Sequence, residues 1–329
     1  MSLSHFTYHR PTTAADATRL LADQDALPMG GGTDLLVLIK EQLARPASVV
    51  DLRAIAGAHT IASTDDGGLR MGAAVRVAEL AHHDAVATRF PALASACESV
   101  GTTALRHMGT IGGNLCQRPR CWYLRRNVAC LKNGGSDCPA ATGENQYHAI
   151  LGGGPCYIVH PSDPAVALTA LDAVVEVSSS RGARRIPIGE FYVLPAERLD
   201  RETVLEAGEL ITAIEIPGAS AGGLQRYEKL MQRGSWDFAL ASLAMVRTEG
   251  GDVRLVLGGV APRPWRLSRS IEEEVARGGL EAGDVARLVD GALYEARPLA
   301  RNGYKVQLAQ TLLRRAITRL SAAARPASS

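Results

Sequence analysis

The chain has 329 residues, 46% of them hydrophobic and 21% charged, with a formal charge of +2; this is the composition of a folded protein of about two domains and excludes disorder for its bulk. No uncharged apolar stretch reaches the roughly 18 residues that a membrane-crossing helix needs, and the opening MSLSHFTYHRPTT lacks the basic and apolar regions of a secretory signal, so a soluble chain without its own export address is expected. A near-zero net charge gives no field that would gather nucleic acid or an anionic membrane.

From Ala26, the text ALPMGGGTDLLVLIK predicts a short strand, a tight glycine turn and a helix start. In TIASTDDGGLRMGAAV, Asp66-Gly67-Gly68 between two alternating segments predicts a hairpin. Residues 76–100 are alanine-rich with helical spacing and read as two helices separated at Pro91. From 115 to 155 periodicity fades and turn residues dominate, which predicts a long ordered loop, a length that implies a function or an internal staple. DAVVEVSSSRGARRIPIGEFYV reads as a second hairpin and ELITAIEIP as a strand ended by Pro217. A small-residue linker at 218–223 suggests a boundary. Beyond it, apolar strands and three polar-faced segments at 270–277, 281–297 and 304–322 predict a sheet covered by helices, with residues 322–329 a disordered tail.

Cysteine placement is the strongest compositional signal. Cys116, Cys121, Cys130, Cys138 and Cys156 fall in one stretch and only Cys97 lies outside. A chain of this size does not need disulfide staples, and clustered thiols in a reducing compartment point to metal. The spacing has neither the C-x2-C knuckle of zinc ribbons nor the compact run of ferredoxins.

Two glycine turns, Gly30-Gly31-Gly32-Thr33-Asp34 and Thr110-Ile111-Gly112-Gly113-Asn114, and a polar element, His160-Pro161-Ser162-Asp163-Pro164, offer backbone amides and hydroxyls that could meet one phosphate-bearing ligand. Each alone is also a plain turn or helix cap. His82, His83, His107, His148 and His160 lie in no hydrolase or metalloprotease motif and read as surface or satisfied histidines, which leaves no catalytic residue to name.

In order and spacing, GGGTDLL at 30–36, TIGGNL at 110–115, PSDPAVAL at 161–168, GELI at 208–211 and YEKLMQR at 227–233 resemble the FAD-binding subunits of the molybdenum hydroxylases, the xanthine dehydrogenase and aldehyde oxidase family. LGGVAPRPWR at 257–266 resembles the C-terminal domain of CO dehydrogenase flavoproteins, so the resemblance covers almost the whole chain. It implies an α+β protein: an FAD-binding domain of two α/β lobes of the PCMH type over 1–220, and an antiparallel sheet with helices over 225–325. It further implies that FAD is held by Met29, Gly30, Gly31, Gly32, Thr33, Asp34, Leu35, Thr110, Gly112, Gly113 and Asn114. Asp163 would make a ribose or phosphate-side contact, Leu210 would pack near the flavin, and Lys229 would reach the isoalloxazine.

Flavin subunits of this family usually pass from TIGGNL to the Ser-Asp element by a short turn. The long insertion here is similar to that of the subset with an extra 4Fe–4S cluster, the bacterial aldehyde oxidases above all and also 4-hydroxybenzoyl-CoA reductase. That subset implies Cys121, Cys130, Cys138 and Cys156 as ligands, with Cys116 a small buried thiol and Cys97 in the core. Arg118, Arg120, Arg125, Arg126 and Lys132, against Asp137 alone, would offset an anionic cluster, or else face an acidic partner subunit. The implied function is electron transfer within a complex that includes a molybdopterin-binding large subunit and a 2Fe–2S small subunit. Zinc is the alternative metal, a reductive enzyme the alternative direction, and a non-enzymatic thiol-metal protein the alternative class.

Overall fold

A computed structural model describes residues 5–323. Three sheets organise the described residues. The first is parallel: β1 (Thr7–His9) and β2 (Ala26–Met29) flank β3 (Ser48–Asp51). Parallel neighbours need crossovers, and the helices Ala14–Leu20 and Leu35–Lys40 supply them. Thr13 caps the first, its hydroxyl accepting from the Asp16 N–H at 3.1 Å. Val49 and Val50 point to opposite faces and build two small cores, Val50 with Ala17 and Ala26, Val49 with Met29 and Ile39.

The second sheet is antiparallel, with β4 (Ile61–Ser63), β5 (Leu69–Gly72), β6 (Val174–Ser179), β7 (Gly182–Pro187) and β8 (Leu210–Ile216) in the order β4-β5-β8-β6-β7. Both predicted hairpins form. Alternation decides the faces: Leu69, Met71, Val175, Val177, Ile214 and Ile216 enter the core, while the outer face carries ion pairs from Arg70 to Glu176 at 2.6 Å and from Arg185 to Glu215 at 3.0 Å. Residues 76–100 form three helices rather than two: Val77–His82, Asp84–Arg89 and Pro91–Glu98. Pro91 opens the last of these at a position where its missing N–H costs no helical hydrogen bond.

The third sheet, β9 (Leu224–Leu230), β10 (Ala241–Arg247), β11 (Val253–Gly258) and β12 (Trp265–Arg266), is antiparallel in the order β12-β11-β10-β9. Its central strands are covered on both sides, so ASLAMV is buried at every position. Ala244, Val246 and Val256 face the central core with the helix Asp163–Ala170. Leu243, Met245, Leu255 and Leu257 face the helices Arg269–Arg277, Ala282–Ala292 and Tyr304–Ala323. The segment expected to be helical to 297 stops at Ala292. The expected tail begins inside the last helix, and residues 324–329 lie outside the described residues.

Between the helices Ile111–Leu115 and Asp163–Ala170 runs the long loop, interrupted by one helical turn at Trp122–Arg125 and a 3-10 turn at Pro139–Ala141. The C-terminal region holds it down. Asn302 donates to the carbonyls of His148 and Ala149, each at 3.1 Å, Tyr304 to Gln146 at 2.8 Å, and buried Lys305 to Tyr147 at 2.9 Å. No helix among the described residues is long and apolar enough to cross a membrane.

Candidate functional site

The two glycine turns are in direct contact. A Cβ at Gly31 would lie 1.7 Å from the Met108 carbonyl oxygen, and one at Gly30 would lie 2.3 Å from Thr110 Oγ1. Gly32 takes a positive φ of 73° to reverse the chain between β2 and the helix Leu35–Lys40. The second turn is the start of the short helix Ile111–Leu115, where the Thr110 hydroxyl accepts from the Gly113 N–H at 3.2 Å. Gly-Gly is a poor helix former, and the Thr110 cap compensates for it.

Together these turns wall a cavity of about 490 Å3 between the first two sheets. Gly30, Gly31, Gly32, Thr33, Asp34 and Leu35 line it from one side, Thr110, Gly112 and Gly113 from another, and Leu210 at the start of β8 from a third. Glycine backbone on two walls admits a phosphate chain to hydrogen-bonding distance of main-chain N–H groups, which suits a dinucleotide. Met29 is buried in the core of the first sheet and does not line the cavity. Asn114 sits just behind it, its side-chain oxygen accepting from the Ser162 hydroxyl at 2.5 Å.

Asp163 lines a second cavity of about 460 Å3, together with Arg120, Cys121, His148, His160 and Phe238, and Lys229 stands behind it without lining the cavity. Lys229 pairs with Asp163 at 2.8 Å and donates to the Ser99 carbonyl at 3.0 Å, and Tyr227 donates to the other Asp163 oxygen at 2.6 Å. Burial raises the Asp163 pKa, and the Lys229 ammonium opposes the rise. Trp236 is exposed away from this cavity lining, whereas Phe238 lies in it, with the Arg120 guanidinium 5.2 Å above its ring.

Two histidines depart from expectation. His148 is buried, with Nε2 3.2 Å from Cys121 Sγ, and burial with the nearby Lys305 charge pushes its pKa down to about 4. His160 is buried against Tyr192, with ring centroids 4.4 Å apart, and among the described residues neither ring nitrogen has a hydrogen-bond partner. Burial and the charge of Arg120 push its pKa down to about 3. Nothing in the local sequence separates these two from the surface histidines.

The six cysteines lie in different surroundings. Cys97 is fully buried in the central core. Cys116 is not a buried core thiol: it ends the helix Ile111–Leu115 and faces the glycine-lined cavity. Cys121, Cys130, Cys138 and Cys156 are near enough to perturb one another. Hydrogen bonding from Cys156 lowers the Cys138 pKa, and the charges of Cys138 and Cys130 add to the burial that raises Cys121. Among the described residues, no group of three or more His, Cys, Asp or Glu side chains is gathered as a single metal ion requires.

The basic residues of the loop have carboxylate partners that the loop sequence does not show. Asp34 accepts from the Arg118 N–H and from Arg125, each at 2.8 Å, and pairs with Arg120 at 3.0 Å. Buried Glu202 pairs with Arg118 and with Lys132, each at 2.9 Å. Of the five cations, Arg126 alone is exposed without such a pair among the described residues.

The FAD-binding domain of molybdopterin dehydrogenases matches residues 4–219. The aldehyde oxidoreductase FAD-binding subunit PaoB of Escherichia coli is 39% identical over 314 residues, covering 94% of this chain and 96% of that protein. The carbon monoxide dehydrogenase medium chain of Afipia carboxidovorans is 28% identical, covering 97% and 98%. In the reconstituted CO dehydrogenase of Oligotropha carboxidovorans, one solved chain superposes with a TM-score of 0.75 at 28% identity, covering 98% of this chain and 99% of that one. The chain therefore belongs to the FAD-binding molybdopterin-dehydrogenase family, the flavoprotein oxidoreductase subunits of the molybdenum hydroxylases.

Proposed function

We propose that this chain is the FAD- and 4Fe–4S-carrying electron-transfer subunit of an aldehyde-oxidising molybdenum hydroxylase. One observation carries the FAD assignment: two glycine turns from distant parts of the sequence converge on one cavity and leave its walls as bare backbone. Bound FAD supplies the conversion of one-electron arrivals into two-electron departures. On this reading Gly30 to Leu35, Thr110, Gly112 and Gly113 hold the diphosphate, while Met29 and Asn114 support those turns from behind. Leu210 packs on the cofactor. Asp163 and Lys229, locked together, set the polarity of the second cavity.

The cluster would take Cys121, Cys130, Cys138 and Cys156. The donor set is all thiol, its members already act on each other electrostatically, and a four-iron cluster asks for a wider thiolate cage than one zinc ion. Trp122, which packs edge-on against Tyr123, Tyr147 and His148, would keep water from it.

The partners on this reading are a molybdopterin-binding large subunit and a 2Fe–2S small subunit, in a heterotrimer or its dimer. The chain would work in the cytoplasm or be carried out with a signal-bearing partner. The domain division at about 220 accompanies it. The purified complex tests it: the flavin subunit should contain FAD, four irons and matching acid-labile sulfide, and the complex should oxidise aldehydes. A colourless, zinc-containing subunit would overturn the cofactor assignment. Turnover of acyl-CoA thioesters in place of aldehydes would assign the reductive direction.

A further inference from the structure

The cysteine loop also forms a wall of the glycine-lined cavity, through Cys116, Gln117, Arg118, Leu124, Lys132 and Asn133. Among the described residues, the ion-pair network of this loop does not balance. Arg118, Arg120, Arg125 and Lys132 share only Asp34 and Glu202, which leaves two positive charges unmatched in this ion-pair network. The other charged side chains of the wall, Arg70 and Glu209, are matched on the sheet by Glu176 and Arg184. The Lys132 side chain is 1% exposed, Arg125 15%, Arg120 27% and Arg118 36%, so the excess is partly buried and Arg118 is its most accessible member. Partly buried excess charge calls for a counter-ion. Two of the four cations, Arg118 and Lys132, lie in the cavity wall itself.

Resting on the FAD reading above, we propose that the cysteine loop is part of the dinucleotide site, with Arg118 a diphosphate-binding residue that Glu202 holds in place. A diphosphate bridge carries two negative charges, which matches the excess. Glycine backbone supplies shape and neutral donors, and an arginine supplies the charge and paired donors that phosphate oxygens prefer. Because the same loop carries the four clustered cysteines, whatever orders that loop also strengthens dinucleotide retention.

The test uses the full chain stripped of flavin, titrated with FAD, ADP and riboflavin. Arg118→Gln should weaken FAD and ADP by about tenfold or more, as for loss of a charged hydrogen bond, and leave riboflavin unchanged. Wild-type affinity for ADP should fall as salt rises and that for riboflavin should not, a readout that needs no variant. Unchanged ADP affinity in Arg118→Gln, or salt-independent ADP binding by the wild type, overturns the proposal. Equal weakening of all three ligands also overturns it, since that marks collapse of the cavity. A wild-type chain that binds neither FAD nor ADP overturns the FAD reading itself.

Discussion

The carboxylate of Asp34 meets the guanidinium of Arg125 at 2.8 Å, across 91 residues of chain. This bond fastens the cysteine loop to the first glycine turn. Asp34→Ala should leave Arg120 and Arg125 without their anion and cost about 2 kcal/mol of stability, since a partly buried pair loses one member. Urea unfolding of the purified chain measures it. An unchanged midpoint would show that the fastening is energetically idle.

Lys229 and Asp163 form an almost fully enclosed ion pair, with side chains 4% and 7% exposed. Lys229→Met should cost about 3–5 kcal/mol by leaving a buried carboxylate without its cation. Combining it with Asp163→Asn should recover part of the loss, because the pair is then removed rather than broken. A double-mutant cycle by thermal unfolding checks the coupling, and additive losses would refute it.

Gly31 and Gly189 make a matched contrast. Gly31→Ala drives a methyl group into the Met108 carbonyl, a backbone atom that cannot step aside, so the two turns must separate and FAD content should fall sharply. Gly189→Ala meets nothing within 4 Å. It sits in the helical turn Ile188–Phe191 and should be neutral or add about 0.5–1 kcal/mol. Flavin absorbance per chain separates the two.

Acid should loosen the first sheet at β3. Burial pushes the Asp51 pKa up, but hydrogen bonds from Arg53 and Tyr8 outweigh it and hold the group at about 2. A folded-state pKa below the unfolded value gives stability that is complete above the unfolded pKa of about 3.9 and is lost as pH falls toward 2. Asp51→Asn should flatten that part of the stability profile, and identical acid slopes for both proteins would exclude Asp51 as its source.

Replacing Cys121, Cys130, Cys138 or Cys156 singly by Ser should lower iron and acid-labile sulfide. Cys97→Ser and Cys116→Ser should leave both at wild-type levels. Chelation under reducing conditions should strip iron from the wild type. If Cys116→Ser alone abolished iron binding, the ligand set would have to be redrawn.

The sheets were readable where local patterning is strong. Alternation and Asp66-Gly67-Gly68 mark β4 and β5, and the glycine triplet marks the turn after β2. The Gly112-Gly113 helix was hidden because its residues disfavour helix and only the Thr110 cap restores it. The loop's charge pattern was only half legible for another reason: Asp34 and Glu202, which pair with its cations, lie far from it along the chain. Long-range pairing leaves no trace in a window of sequence. His148 and His160 illustrate the same limit, since burial is what makes them unusual.

The bonds from Asn302, Tyr304 and Lys305 to the segment 146–149 span more than 150 residues, which bears on the order of assembly. Closing so large a loop is entropically costly, and during synthesis it must wait until the last helix has emerged. The region around His148 therefore gains its final anchors only when the chain is nearly complete, making the cysteine loop a late-maturing element. A chain carrying Asn302→Ala and Tyr304→Phe, which keeps the last helix over the third sheet, should leave that loop more open to proteases.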